Sequence, residues 1–266
     1  MIPTVIVGAG NMGSALFRGL SAKLGKEHLW LCDVHEEKLA PAEPGRRLTD
    51  PRRCGEVAEC ILLAVKPQSF SSLMETVGRS WSKKLIISIM AGVTLRRLAD
   101  DTGASAVVRA MPNLGARVGR CVTGWITTPA VTPAQRQVAE RIFSAVGTSI
   151  RLDTESQIDA FTAIAGSGPA YFFYLAELLE QAARDAGISS EHSARIARDL
   201  LGAGSLLLDG GERSAAGWRE AVTSKGGTTE AALRVLLERD FPAILNQALS
   251  AAAERSHTLS DDAGSH

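Results

Sequence analysis

The sequence has no charge imbalance: 29 lysines and arginines are matched by 29 aspartates and glutamates across 266 residues. Such a balance creates no long-range field toward nucleic acid or an anionic membrane, so neither is expected as a partner. Cysteine is scarce. Cys32, Cys54, Cys60 and Cys121 form no CxxC pair and have no histidine at zinc-finger spacing. Cys32, Cys60 and Cys121 sit within apolar stretches, the setting of buried reduced thiols. The five histidines are scattered without HExxH spacing, so no metal site is expected. No apolar run approaches the roughly 18 residues of a membrane-spanning helix, and no secretory signal pattern opens the chain. These absences point to a cytoplasmic globular protein, and a hydrophobic fraction of 45% is enough for a real core.

What is present falls into two parts. Thr4–Val7, Leu29–Cys32 and the stretches 61–65, 85–89 and 106–108 are Val-, Ile- and Leu-rich without polar alternation, as expected for parallel strands buried on both faces. Candidate helices alternate with them, at 12–24 and at 94–100 with Thr94 as N-cap. A strand at 122–127, a helix at 133–146 and a strand at 148–152 close the series. The alternation predicts a Rossmann-type doubly wound α/β sheet over residues 1–154. Beyond it the β runs stop. Helices are expected at 169–186, 190–208, 229–238 and 242–256, forming an all-α domain over 155–256. The polar residues 257–266 are expected to be a disordered tail.

VIVGAGNMGSALFRGL, at 5–20, places Gly8, Gly10 and Gly13 between a buried strand and a helix. In that context GxGxxG is a dinucleotide signature: a tight turn, a close approach for pyrophosphate, and close packing of helix on strand. Helix-start N–H groups then face the phosphates. Asp33 follows Gly13 by about 20 residues, at the end of the second strand, where a ribose-binding carboxylate belongs. It favours a free 2′-hydroxyl, but Arg46 and Arg47 could fold back toward a 2′-phosphate, so NADH and NADPH both stay open. In LLAVKPQ (62–68), Lys66 ends a strand on the side facing the cofactor crevice.

GAGNMG, AVKPQ, SIMAGVTL (88–95), VRAMPN (108–113), AGSGPAY (165–171) and VTSKGGTTEAALRVL (222–236) occur in one order. Together they closely resemble pyrroline-5-carboxylate reductase, from about residue 2 to about residue 256. The resemblance implies NADH- or NADPH-dependent reduction of a cyclic imine carboxylate to L-proline, the last step of proline biosynthesis. It also implies a helical domain that dimerises, with assembly up to a decamer. It assigns Gly8, Gly10, Asn11 and Met12 to the dinucleotide loop. Ala64, Lys66 and Pro67 fall in a second cofactor loop, Ala91 and Gly92 in a third near the nicotinamide. Glu155 matches a substrate-side acid, and Ser224, Gly227, Thr228 and Thr229 match the substrate loop. That loop also makes sense by itself: two glycines free the backbone, and Thr228-Thr229 start a helix whose open N–H groups suit a carboxylate. Thr229 would orient the ring nitrogen. Two departures stand out, Lys225 where the family commonly has proline and Leu114-Gly115 where it usually has Thr-Pro.

Rival readings are a β-hydroxyacid dehydrogenase, a related cyclic imine reductase of a specialised pathway and a non-catalytic dinucleotide sensor. The first characteristically needs a lysine on the early helices of its second domain, and none lies between Lys84 and Lys225. The last would be expected to have lost the SKGGTT loop.

Overall fold

The computed structural model describes residues 2–264. The chain forms two compact units, one running through Ser167 and resuming at Ser250, the other comprising Gly168–Leu249.

Among the described residues the first unit is built on eight strands: β1 (Thr4–Val7), β2 (Leu29–Cys32), β3 (Arg47–Leu48), β4 (Cys60–Leu63), β5 (Leu85–Ser88), β6 (Val107–Met111), β7 (Cys121–Thr127) and β8 (Gly147–Arg151). Their order in the sheet is β3-β2-β1-β4-β5-β6-β7-β8. The pairs among β1 to β6 are parallel, β7 runs antiparallel to β6, and β8 pairs parallel with β7. Helices accompany it: α1 (Asn11–Leu24), α2 (Cys54–Val57), α3 (Phe70–Val77), α4 (Leu95–Thr102), α5 (Pro133–Ser144) and α6 (Glu155–Phe161).

The apolar strands are covered on both faces, as their lack of alternation predicts. Ile6, Leu62 and Ile87 pack with Leu16, Phe17 and Leu20 of α1 and Ile142 and Phe143 of α5. Their neighbours Val5, Ile61 and Ile86 point to the opposite layer, with Phe70 and Met74 of α3 and Leu98 of α4. This is the doubly wound arrangement, and the switch in strand order falls between β1 and β4, where ligands of such sheets bind. Thr94 caps α4 as expected, accepting the Arg97 N–H, while Thr132 and Gln135 form a capping box on α5.

The first unit extends past the expected boundary at 154. α6 and a π-type turn, Thr162–Gly166, belong to it. Phe161 of α6 lies directly on Gly124 of β7, where a Cβ would come within 2.7 Å of its ring. The expected disordered tail is also corrected. α11 (Phe241–Gly264) continues through 257–264, because Ser256 Oγ donates to Asp159 Oδ1 at 2.9 Å and Leu259 packs on Gly92. Residues 265 and 266 lie outside the described residues.

The second unit comprises α7 (Gly168–Asp185), α8 (Ser190–Asp209), α9 (Ala215–Ala221), α10 (Thr228–Glu238) and the first part of α11. Pro169 sits in the first turn of α7 and Gly187 follows its end, as read from the sequence. Among the described residues, only Gly168, Ser193 and Ala197 of this unit are buried. Phe172, Phe173 and Tyr174 remain exposed by 63%, 61% and 60%. A helical unit with so little interior of its own leaves its apolar faces to be covered by something else.

All four cysteines are free and buried. Burial pushes the Cys60 thiol up to about 12 and raises that of Cys121. The Cys54 thiol is raised by its hydrogen bond to Cys32 and then by burial. A thiol-reactive dye at pH 8 is therefore expected to label the native protein negligibly and to label all four thiols in denaturant. Prompt labelling of the native protein would contradict this packing.

Candidate active site

The carboxyl ends of β1, β2 and β4 converge on one opening. Gly8 closes β1 with φ +104, and its N–H donates to the Cys32 carbonyl of β2 at 2.8 Å. A Cβ at Gly8 would come within 2.7 Å of the Ala64 backbone, and one at Gly13 would overlap the Gly8 carbonyl oxygen. Gly10 differs: nothing lies within 4 Å of where its Cβ would be. Two glycines therefore let chain segments touch, and the third leaves an opening.

α1 begins at Asn11 with Gly10 as N-cap, and among the described residues no side chain accepts from its first N–H groups. The first bond back to Gly10 comes from Ser14, at 2.9 Å. The N–H groups of Asn11, Met12 and Gly13 are the unpaired donors of a helix start, suited to an anion.

Asp33 stands at the end of β2, held from two sides. Its Oδ2 accepts the Ala9 N–H at 2.8 Å and its Oδ1 the His35 N–H at 3.0 Å. Lys38 Nζ approaches Oδ1 at 3.8 Å. A cavity of about 490 Å³ brings together Gly8, Gly10, Asp33, Ala64 and Lys66 with the apolar Val34, Val65 and Leu73. Asn11 lines a neighbouring cavity of about 680 Å³ beside α1, with Arg18 and Arg117. Pro67 begins a short 3₁₀ turn after Lys66. Ala91 and Gly92 follow β5 and line neither cavity; Gly92, at φ +73, is packed against the Leu259 backbone of α11.

Glu155 is engaged within the first unit. Its Oε1 accepts the Leu95 N–H at 3.0 Å, at the start of α4, and Arg109 Nη1 at 2.8 Å. Arg109, only 1% exposed, also reaches Asp159 Oδ1 at 3.4 Å, to which Ser256 donates. The network ties α4, α6, β6 and α11 together.

Asn113 was not singled out in the sequence, although it lies in the VRAMPN motif. Its Oδ1 accepts the N–H groups of Gly115 at 3.1 Å and Val122 at 3.2 Å, and its Nδ2 donates to the Ala165 carbonyl at 2.9 Å. One amide thus joins the 3₁₀ turn Leu114–Val118, β7 and the π-type turn. Proline at 115 could not donate to Asn113, and any Cβ there would overlap the Arg120 carbonyl oxygen. Leu114-Gly115 therefore builds a tightly bonded turn of its own. Asn113→Ala is expected to cost about 1–3 kcal/mol by leaving buried partners unpaired. Urea unfolding would show it as a lower midpoint at unchanged slope, and an unshifted midpoint would contradict it.

In the second unit, residues 224–229 form a turn into α10. Gly227 is the N-cap, donating to the Ser224 carbonyl at 3.0 Å, and Gly226 adopts φ +72 and donates to Glu230 Oε2 at 2.6 Å. Thr228 and Thr229 occupy the first two helical positions, so neither hydroxyl acts as the cap. Their N–H groups have no acceptor among the described residues. Thr228 is exposed and Thr229 half-buried.

Residues 155–259 match the family model described as pyrroline-5-carboxylate reductase dimerisation, and residues 4–92 match that described as NADP oxidoreductase coenzyme F420-dependent. The chain is 34% identical to the pyrroline-5-carboxylate reductase of Pseudomonas aeruginosa, over 97% of each chain. Its structure is similar to that of a pyrroline-5-carboxylate reductase from Coxiella burnetii, with a TM-score of 0.90, 31% identity and coverage of 97% and 98%. A Plasmodium falciparum pyrroline carboxylate reductase with NADP bound matches at a TM-score of 0.84 and 25% identity, with the same coverage. A glycine cradle at a sheet switch point, a threonine-led helix start and end-to-end similarity to one set of enzymes agree: the chain belongs to the pyrroline-5-carboxylate reductase family.

Proposed function

We propose that the chain reduces 1-pyrroline-5-carboxylate to L-proline with a hydride from NADH or NADPH, the last step of proline biosynthesis. The observation that carries this reading is the open cradle at Gly10, beside the backbone-held carboxylate of Asp33, in a chain that matches known reductases over its whole length. The cradle suits a dinucleotide: the first turn of α1 offers unpaired donors for a pyrophosphate, and Asp33 offers an acceptor for a ribose hydroxyl. In this assignment Gly8, Gly10, Asn11, Met12 and Gly13 hold the phosphates and Asp33 the ribose. Ala64, Lys66 and Pro67 flank the nucleotide, and Ala91 and Gly92 support the nicotinamide side.

When bound, the reduced nicotinamide supplies the hydride. The chain's own task is to hold the ring. A protonated imine is already electrophilic, so positioning supplies most of what the reaction needs. Ser224, Gly227, Thr228 and Thr229 take the substrate, with open N–H groups on its carboxylate and the Thr229 hydroxyl on the ring nitrogen. Glu155, whose Oε1 is engaged by Leu95 and Arg109, is assigned to the substrate side, as the resemblance implies.

The exposed aromatic face of α7 is assigned to a homodimer of this chain, with rings of dimers up to a decamer as the larger form. Mass measurement in solution tests both. No helix among the described residues is long and apolar enough to cross a membrane, and the buried free thiols fit a reducing cytoplasm.

The test is absorbance at the nicotinamide band when the purified chain meets the imine and either cofactor. Imine-dependent oxidation of NADH or NADPH is expected, and none with either would overturn the assignment. Faster turnover of a six-membered imine would move the chain to the related imine reductases.

A further inference from the structure

We infer that this chain selects NADH over NADPH and that Asp33 is the residue that makes the choice. The inference rests on the dinucleotide reading above and adds which dinucleotide the cradle takes.

The carboxylate at this position is not free to swing aside. Its two oxygens are held by the N–H groups of Ala9 and His35, at 2.8 and 3.0 Å. Its side chain is 11% exposed. A free ribose 2′-hydroxyl can donate to such a carboxylate. A 2′-phosphate would instead bring about two negative charges against it, and turning the carboxylate away would break both of its backbone hydrogen bonds.

The cations that could compensate are engaged elsewhere or too few. Arg46 stacks over the Trp30 ring, 4.3 Å from its centroid. Arg47 donates its Nε to the Ala42 carbonyl at 2.8 Å. Neither folds back to the cavity, whose fixed positive charges are Lys38 and Lys66. Lys38 approaches Asp33 Oδ1 at 3.8 Å, so its charge offsets that carboxylate first, and its loss would leave a 2′-phosphate facing an uncompensated Asp33. The local sequence tips the balance further, since three carboxylates, Asp33, Glu36 and Glu37, stand in the same six-residue stretch as the single lysine Lys38.

The experiment is equilibrium binding to the full chain without imine, followed by protein fluorescence or calorimetry. NADH is expected to bind at least about tenfold more tightly than NADPH, since each tenfold is about 1.4 kcal/mol. AMP is expected to compete better than adenosine 2′,5′-bisphosphate by a similar factor. Asp33→Ser should weaken NADH and narrow or invert the ratio. Because Asp33 also holds Ala9, Lys38→Ala serves as a second variant and should weaken NADPH more than NADH. Equal binding, or tighter NADPH, would overturn the selection and leave the dinucleotide reading intact. Failure of every nucleotide to bind would remove the dinucleotide reading and the selection together.

Discussion

Gly13→Ala is expected to abolish dinucleotide binding and lower the melting temperature, whereas Gly10→Ala should lose binding with the fold unharmed. The pair separates two roles that one motif combines. A Cβ at Gly13 would overlap the Gly8 carbonyl oxygen and come within 3.2 Å of the Ala64 side chain. Both obstacles belong to the sheet or its loops, so α1 must lift away from β1. Overpacking of this kind costs about 1–3 kcal/mol, and it distorts the loop whose N–H groups the phosphates would use. At Gly10 a methyl group meets no protein atom within 4 Å. The space it enters is the space assigned to pyrophosphate. Thermal unfolding and nucleotide titration of both variants decide the matter. A Gly10→Ala protein that bound NADH as tightly as the parent would show that the opening serves no ligand.

Thr229→Ala is expected to lower kcat by at least about tenfold, the size of one hydrogen bond of about 1.4 kcal/mol made to the reacting ring. Dinucleotide affinity and melting temperature should stay near the parent values. The usual role of a threonine at a helix start is capping, and here Gly227 holds that position. Loss of the hydroxyl therefore removes no cap, and its effect on turnover reports on the substrate. Thr229→Ser, which keeps the hydroxyl, should restore most of the rate. An alanine variant with undiminished kcat would remove Thr229 from the reaction.

The strands of the α/β unit were legible because parallel strands buried on both faces leave uninterrupted apolar runs, as in Thr4–Val7 and Leu29–Cys32. β3 was not, since two residues carry no period. The reversal of β7 was hidden too, because an apolar strand reads the same in either direction. The glycine cradle was readable, as its residues are neighbours in sequence. The side chains that tie α4, α6, β6 and α11 together were not: Arg109, Glu155, Asp159 and Ser256 lie up to 97 residues apart along the chain where they bond. Glu155 illustrates the limit. The resemblance marks it as a substrate-side acid, and only the fold reveals that its Oε1 also accepts from Leu95 and Arg109. The tail misled for the same reason. Its polar residues suggest disorder, yet the helix passing through them is secured by Ser256 on Asp159 and Leu259 on Gly92.

The most direct test follows the transferred hydrogen. The purified chain is incubated with 1-pyrroline-5-carboxylate and NADH bearing deuterium at the transferring C4 position, and the product is analysed by mass spectrometry and NMR. The account predicts L-proline carrying one deuterium at C5, the former imine carbon, in step with cofactor oxidation. Cofactor oxidation without proline, or proline without the label, would contradict it.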